Sequence, residues 1–187
     1  MTKKWIVAGL VFAVFALFRC NNDEKVAENG ISEEDVTTEI AKDVEILYSD
    51  SAKVRVRITA PELRNLVNRE SPKQEFLKGI KVEFLDENLV AGSVLTAKTA
   101  YREEFKKRII ARDSVVLFSK NKERLETNEL YWNEETEVLS TEKFVKITKP
   151  GEIIFGYGLD ANQDFSHWTI RVPTGRIKAG QIENELK

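Results

Sequence analysis

Apolar and polar residues alternate from residue 44 onward, which predicts β-strands. Every second residue is apolar in 44–48 and again in 53–60, and residues 49–52 between them are small or polar types that favour turns. Such alternation indicates half-buried antiparallel strands with one face on the core. We therefore predict a hairpin whose second strand buries Val54, Val56, Ile58 and Ala60.

The middle of the chain contains a repeat with an offset of thirty residues. Residues 95–97 recur as residues 125–127, and Tyr101 recurs as Tyr131. A charged break, an apolar pair, a turn and a second apolar segment follow each tyrosine, and a partial third copy begins at residue 155. The matched apolar segments are Ile109-Ile110 with Val138-Leu139, and residues 115–118 with residues 145–147. A short β repeat predicts stacked antiparallel hairpins that each bury one face against their neighbours.

The repeat also decides the structure predicted for residues 97–108. On its own this segment is charged enough to be taken for a helix, whereas its counterpart, residues 125–138, carries Thr, Tyr and Trp residues that favour strands. Two copies of one unit should share one structure, so both are predicted to be strand-turn-strand. A looser copy spans residues 58–84, with an insertion at residues 64–74. The predicted fold class is all-β, a layered or rolled antiparallel sheet with an apolar interior.

The N-terminal segment predicts export from the cytoplasm. Two lysines precede residues 5–18, which are apolar apart from one glycine. As a helix this run is about 21 Å long, shorter than the roughly 30 Å of a bilayer core, so it resembles a secretory signal more than a spanning helix. Cys20 follows at once, as in a lipoprotein processing site, although Arg19 stands where such sites usually have a small residue. The alternatives are an uncleaved signal anchor and an unmodified thiol.

These patterns divide the chain into four segments. Residues 1–20 are the signal or anchor, and residues 21–42 are polar and acidic, as in a flexible tether. Residues 43–175 form the β domain, and residues 176–187 form a C-terminal tail.

Composition and chemistry exclude several classes of function. The formal net charge is -2 with both signs interspersed, which argues against nucleic-acid binding. One histidine, His167, and one cysteine cannot build a typical zinc site, and neither a Ser-His-Asp nor a Cys-His arrangement is credible. Residues 156–158 lack the rest of a dinucleotide-binding fingerprint. We therefore predict no enzyme activity, no metal and no cofactor.

Five motifs together resemble the LptC family. They lie at residues 95–101, 125–127, 130–132, 144–147 and 155–160, and the similarity covers roughly residues 44–171. The N-terminal anchor of this chain also resembles that of the family. The resemblance implies an open, twisted β-jelly-roll in the periplasm, anchored to the inner membrane. It implies that the N-terminal end docks on an inner-membrane ABC transporter. It also implies that the C-terminal edge passes lipopolysaccharide to a periplasmic bridge protein of like β fold.

The resemblance and the strand pattern together predict two sets of functional residues: those that line a lipid trough and those that bind a partner protein. Acyl chains would travel in an apolar trough, because exposing them costs about 0.8 kcal/mol per methylene; each inward residue is alternatively ordinary core. The trough candidates are Ile80, Val82, Phe84, Val115, Leu117, Leu139, Val145 and Ile147. A partner would add a strand at the last edge, where the candidates are Gly156, Gly158, Trp168, Ile170 and Val172, although the glycines fit a simple bulge equally well. The basic residues 106–108 would either contact lipid phosphates or form a solvated hairpin tip.

Two other non-catalytic functions remain open at this point. A structural lipoprotein of β-solenoid type would have a dry, packed interior without ligand. A cell-surface carbohydrate-binding module would need Trp132 or Trp168 to face water.

Overall fold

The computed structural model describes residues 37–50, 53–67 and 72–178, and all of the long elements among them are strands. A single-turn 3₁₀ helix lies at Glu104–Lys106. In this part of the chain, no helix is long and apolar enough to span a membrane. The strands are β1 Thr37–Asp50, β2 Lys53–Val67, β3 Lys73–Phe76, β4 Ile80–Leu85, β5 Ala91–Ala97, β6 Thr99–Glu103, β7 Arg108–Ser119, β8 Arg124–Asn133, β9 Val138–Lys149, β10 Glu152–Asn162 and β11 Trp168–Lys178.

All eleven strands belong to one antiparallel sheet. β1 pairs with β2, and β2 pairs with β4 along its first part and with β3 along its last part. β7 is shared in the same way between β5 and β6. β8, β9, β10 and β11 then follow in order, so β1 and β11 are the two edges. This confirms the predicted all-β class.

A line of backbone irregularities crosses the sheet and bends it. Asp43 in β1, Asp113 in β7 and Gly158 in β10 have positive φ angles of 50°, 62° and 71°. The strand register shifts near the same line in β7, β8 and β10. Bulges of this kind bend a strand and change the face on which the next side chains lie.

Because of this bend, the two halves of the sheet pack against each other. β4 and β8 are three strand positions apart, which in a flat sheet would separate their side chains by about 14 Å. Yet the rings of Phe84 and Trp132 lie 5.2 Å apart, edge to face. The sheet is therefore folded back on itself, as in a jelly-roll.

The core lies between the two halves and follows the predicted alternation. In β7, Val115 and Leu117 are buried while Phe118 is 50% exposed. The same alternation continues in β8 and β9, where Leu125, Val145 and Ile147 have no exposed surface. Complete burial of such a side chain contributes about 1.5–3 kcal/mol of stability.

The repeat prediction is confirmed for residues 97–108. They form the end of β5, β6, the 3₁₀ turn and the start of β7, and Lys107 closes the turn with a φ of 46°. The charged residues that make the segment look helical are ion-paired instead. Arg102 bonds Glu134, and Arg108 bonds Glu103.

Some predicted boundaries differ from the structure. β1 begins at Thr37, so residues 37–42 are not tether; their backbone pairs with β2 although residues 38–43 are exposed. The proposed insertion at residues 64–74 includes the end of β2 and the start of β3. β11 continues to Lys178, beyond the predicted end at 175. The signal segment with Cys20, residues 21–36 and residues 179–187 lie outside the described residues.

Candidate functional site

The eight residues predicted to line the trough all lie in the interior. Their exposed fractions range from 0% to 4%, and they belong to one continuous apolar cluster. The structure therefore brings them together, but as a packed core. Acyl chains can reach these side chains only if the two halves of the roll separate.

The β1 edge is held closed by a small cluster of aromatic and charged side chains. The ring of Tyr48 lies 6.2 Å from that of Trp132, and the Arg102 guanidinium lies 5.2 Å from the centre of the Tyr48 ring. Arg102 donates two hydrogen bonds to Glu134, at 2.6 and 2.9 Å, and these bonds raise its pKa. The Nε1 atom of Trp132 is buried without a hydrogen-bond partner. This cluster joins β1, β6 and β8 through side-chain contacts.

The cluster predicts a loss of stability at alkaline pH. Burial raises the pKa of Tyr48 from 10.0 to about 12, so the folded chain favours the neutral phenol. The resulting stabilisation is complete below pH 10 and is lost as the pH rises from 10 towards 12. We expect wild type to lose about 2 kcal/mol more unfolding free energy than Tyr48→Phe over that interval. Urea unfolding at pH 9 and 11.5 measures the difference, and parallel pH profiles for the two chains would contradict it.

The β11 edge contains the second set of predicted residues. Among the described strands, β11 pairs only with β10. Trp168 and Ile170 are half-buried against the core, whereas Val172 is 58% exposed. The alternation predicted for this strand therefore holds for its first two apolar residues.

The two glycines of β10 have different structural roles. A Cβ on Gly156 would overlap the Cγ2 atom of Ile170 and lie 2.6 Å from the carbonyl oxygen of Val172, so this glycine permits close approach of β11. Gly158 has a φ of 71° and lies where the register of β9 and β10 shifts, so it forms a bulge. The close approach at Gly156 and the bulge at Gly158 together determine how β11 packs on β10.

An apolar groove of about 480 Å³ lies beside this edge. Ile154, Trp168, Ile170 and Pro173 line it, together with Gly175, and Lys149 and Arg176 stand at its rim. Both cations pair with Glu152. The alternation pattern identified Trp168 and Ile170 but missed the other residues, whose only signal was the apolar pair 153–154 after a glycine turn.

A larger cleft of about 900 Å³, lined by both polar and apolar side chains, lies among the turns at one end of the roll. The β10–β11 turn closes on β5, where the Ser93 hydroxyl donates to the Gln163 carbonyl oxygen at 2.5 Å. Trp168 donates from Nε1 to Glu123 at 3.3 Å. Trp168 lines both this cleft and the apolar groove, so the two cavities are adjacent.

The remaining candidates do not form a chemical centre. Residues 106–108 are at a hairpin tip, where Lys106 and Arg108 pair with Glu103. His167 contacts the neighbouring Ser166 hydroxyl at 3.0 Å. Within residues 37–50, 53–67 and 72–178, no group of three or more His, Cys, Asp or Glu side chains could hold a metal ion.

Comparison with known proteins places this fold in a family. A search of curated proteins gives no significant match. The family model described as lipopolysaccharide-assembly, LptC-related, matches residues 5–171, which is most of the chain. With the rolled antiparallel sheet and its apolar interior already established, this match shows that the chain belongs to the LptC-related family of lipopolysaccharide-assembly proteins.

Proposed function

We propose that this chain is a membrane-tethered periplasmic component of lipopolysaccharide export. It accepts lipopolysaccharide from an inner-membrane ABC transporter and passes it to a periplasmic bridge protein, without catalysing a reaction. Membership of the family supports a role in lipopolysaccharide export. The observation that carries the finer proposal is the β11 edge, on which no other described strand pairs beyond β10, with its apolar groove beside an interior made of apolar side chains.

Packing sets a physical condition on this transfer. The interior candidates from Ile80 to Ile147 are almost fully buried, so acyl chains must displace contacts between the two halves of the roll. Each methylene kept out of water contributes about 0.8 kcal/mol, which offsets the contacts that are lost. The transporter supplies the remaining work through ATP hydrolysis.

Edge-strand addition would join the chain to its partners. The bridge protein would pair with β11 through backbone hydrogen bonds, with Trp168, Ile170 and Val172 giving side-chain specificity. The transporter would dock at the opposite, N-terminal end of the roll. Lipid-modified Cys20 or an uncleaved signal anchor would hold the domain at the inner membrane.

One competing function has specific support. The closely packed apolar interior also fits a structural lipoprotein that carries nothing. A carbohydrate-binding module is less well supported, because Trp132 is 5% exposed and Trp168 stacks on buried Phe165 with ring centres 6.2 Å apart. Transport and scaffold are therefore the two functions to separate.

Photocrosslinking to lipopolysaccharide separates them. Probes replace Val82, Leu117 and Ile147 in the interior and Ile170 in the groove, in membranes that contain the transporter and ATP. Outward-facing Lys81 on β4 and exposed Thr96, its pairing partner on β5, provide matched control positions. We expect ATP-dependent adducts from the inward positions only. Thermal melting of each variant checks folding; the absence of adducts in folded chains with an active transporter would leave the scaffold function.

A further inference from the structure

The outer surface of the roll over strands β7 to β11 carries a group of exposed apolar side chains. An antiparallel sheet with one face on the core normally turns polar side chains outward. Here five of the twelve large apolar side chains that are at least 36% exposed lie on this one surface. Cross-strand pairing places them on one face: Tyr157 pairs with Phe144 and Val172. We call this surface the outer aromatic patch; its exposed members are Phe118, Phe144, Tyr157, Val172 and Ile177.

Three aromatic rings of the patch contact one another. The ring centres of Phe144 and Phe155 are 6.2 Å apart and stacked, and those of Phe144 and Tyr157 are 5.4 Å apart, edge to face. On β7, the ring of Phe118 lies 5.2 Å below the Arg124 guanidinium. Clustered exposed aromatic rings of this kind are typical of a protein or membrane contact.

The charges around the rings are mainly positive. Arg124 and Lys146 lie within the patch, and the one carboxylate between them, Glu126, pairs with both, at 2.9 and 3.2 Å. Residues 118–126 and 142–147, which flank Phe118 and Phe144, contain five cations and three carboxylates. The whole chain, by contrast, has a formal net charge of -2. Two of those carboxylates are Glu126 and Glu142, and Glu142 already pairs with Arg171; the third, Glu123, accepts from Trp168. The five cations are Lys120, Lys122, Arg124, Lys143 and Lys146.

We propose that the outer aromatic patch docks on the surface of an anionic phospholipid bilayer. Tyrosine and phenylalanine rings suit the boundary between headgroups and acyl chains, and the cations complement anionic headgroups. The inference rests on the membrane tether proposed above. A tether raises the local concentration of bilayer around the domain, so that a weak surface contact suffices. Docking would fix which way the β11 edge and its groove face relative to the membrane.

Photocrosslinking in vesicles tests the proposal without lipopolysaccharide or a transporter. The full chain is reconstituted in vesicles of phosphatidylglycerol and phosphatidylcholine, with a benzophenone probe at position 144 or 157. The matched control is Thr169, which is exposed on β11 beside Asp160. We expect phospholipid adducts from positions 144 and 157 and none from 169. We also expect roughly tenfold fewer in the double variant Arg124→Gln, Lys146→Gln, or with phosphatidylcholine alone.

The outcomes separate this inference from the proposed tether. Chains that float with the vesicles but give no lipid adduct at 144 or 157 would overturn patch docking while leaving the tether intact. Adducts at twice the mass of the chain would also overturn it, by showing that a second copy covers the patch. Chains that do not float would overturn the tether and, with it, this inference.

Discussion

Replacing Trp132 by alanine is expected to lower the free energy of unfolding by about 3–5 kcal/mol, the range for removing a buried large aromatic side chain. Trp132 is 5% exposed and contacts Phe84 and Tyr48, which belong to the facing part of the folded sheet. Its removal leaves a cavity between the two halves that β4 and β1 cannot fill without breaking their pairing. The roll would therefore lose the contact that keeps it folded back.

Urea unfolding of three variants measures this effect. Trp132→Phe retains most of the apolar volume and should lose clearly less stability than Trp132→Ala. Phe118→Ala removes an aromatic ring that is 50% exposed and should change the free energy of unfolding by about 0.5 kcal/mol or less. A loss below about 1 kcal/mol in Trp132→Ala would show that the halves do not depend on this residue.

A double-mutant cycle with Phe84→Ala identifies the contact itself. If the two rings stabilise the roll by packing on each other, the double variant should lose less than the sum of the single losses. Simple additivity would indicate that Trp132 acts through other neighbours.

The strands were predictable because alternation has a direct physical cause, whereas the bend was not. A residue pattern of period two reports which face is buried, and in β2 it correctly identified Val56, Ile58 and Ala60. The bend depends on single residues such as Asp43 and Asp113, which take positive φ angles. Aspartate tolerates that conformation better than most residues, but it is equally common in ordinary turns. The positions of these aspartates in the sequence therefore do not predict that the sheet folds back on itself.

The sequence predicted which residues of the candidate site face inward, but not what they border. Alternation showed that Val82 and Ile147 point inward, but an inward side chain can border a packed core or an open channel, and the pattern is the same in both. The edge residues Trp168 and Ile170 were recognisable because β11 is the last apolar strand. Lys149 and Arg176 were missed, since their pairing with Glu152 depends on strand register.

Replacing Gly156 by valine is expected to detach the first half of β11 from β10 and to abolish binding of the proposed bridge protein. A Cβ at this position would overlap the Ile170 side chain and lie 2.6 Å from the backbone carbonyl oxygen of Val172. The side chain can rotate away, but the backbone cannot move without breaking the β10–β11 hydrogen bonds. Overpacking of this kind typically costs about 1–3 kcal/mol, less than the expected loss in Trp132→Ala, so the rest of the roll should stay folded.

Hydrogen exchange along β11 distinguishes local detachment from general unfolding. In Gly156→Val the amides of β11 should exchange at least about tenfold faster, as expected for local opening, while those of β7 and β8 keep their protection. Gly175→Ala is the matched control: its Cβ would lie 3.7 Å from the Phe155 ring, an ordinary contact, so both exchange and partner binding should be unchanged. Retention of β11 protection with loss of partner binding would mean that the bridge protein contacts Gly156 directly. Loss of β11 protection with retention of partner binding would mean that the bridge protein does not bind at the β11 edge.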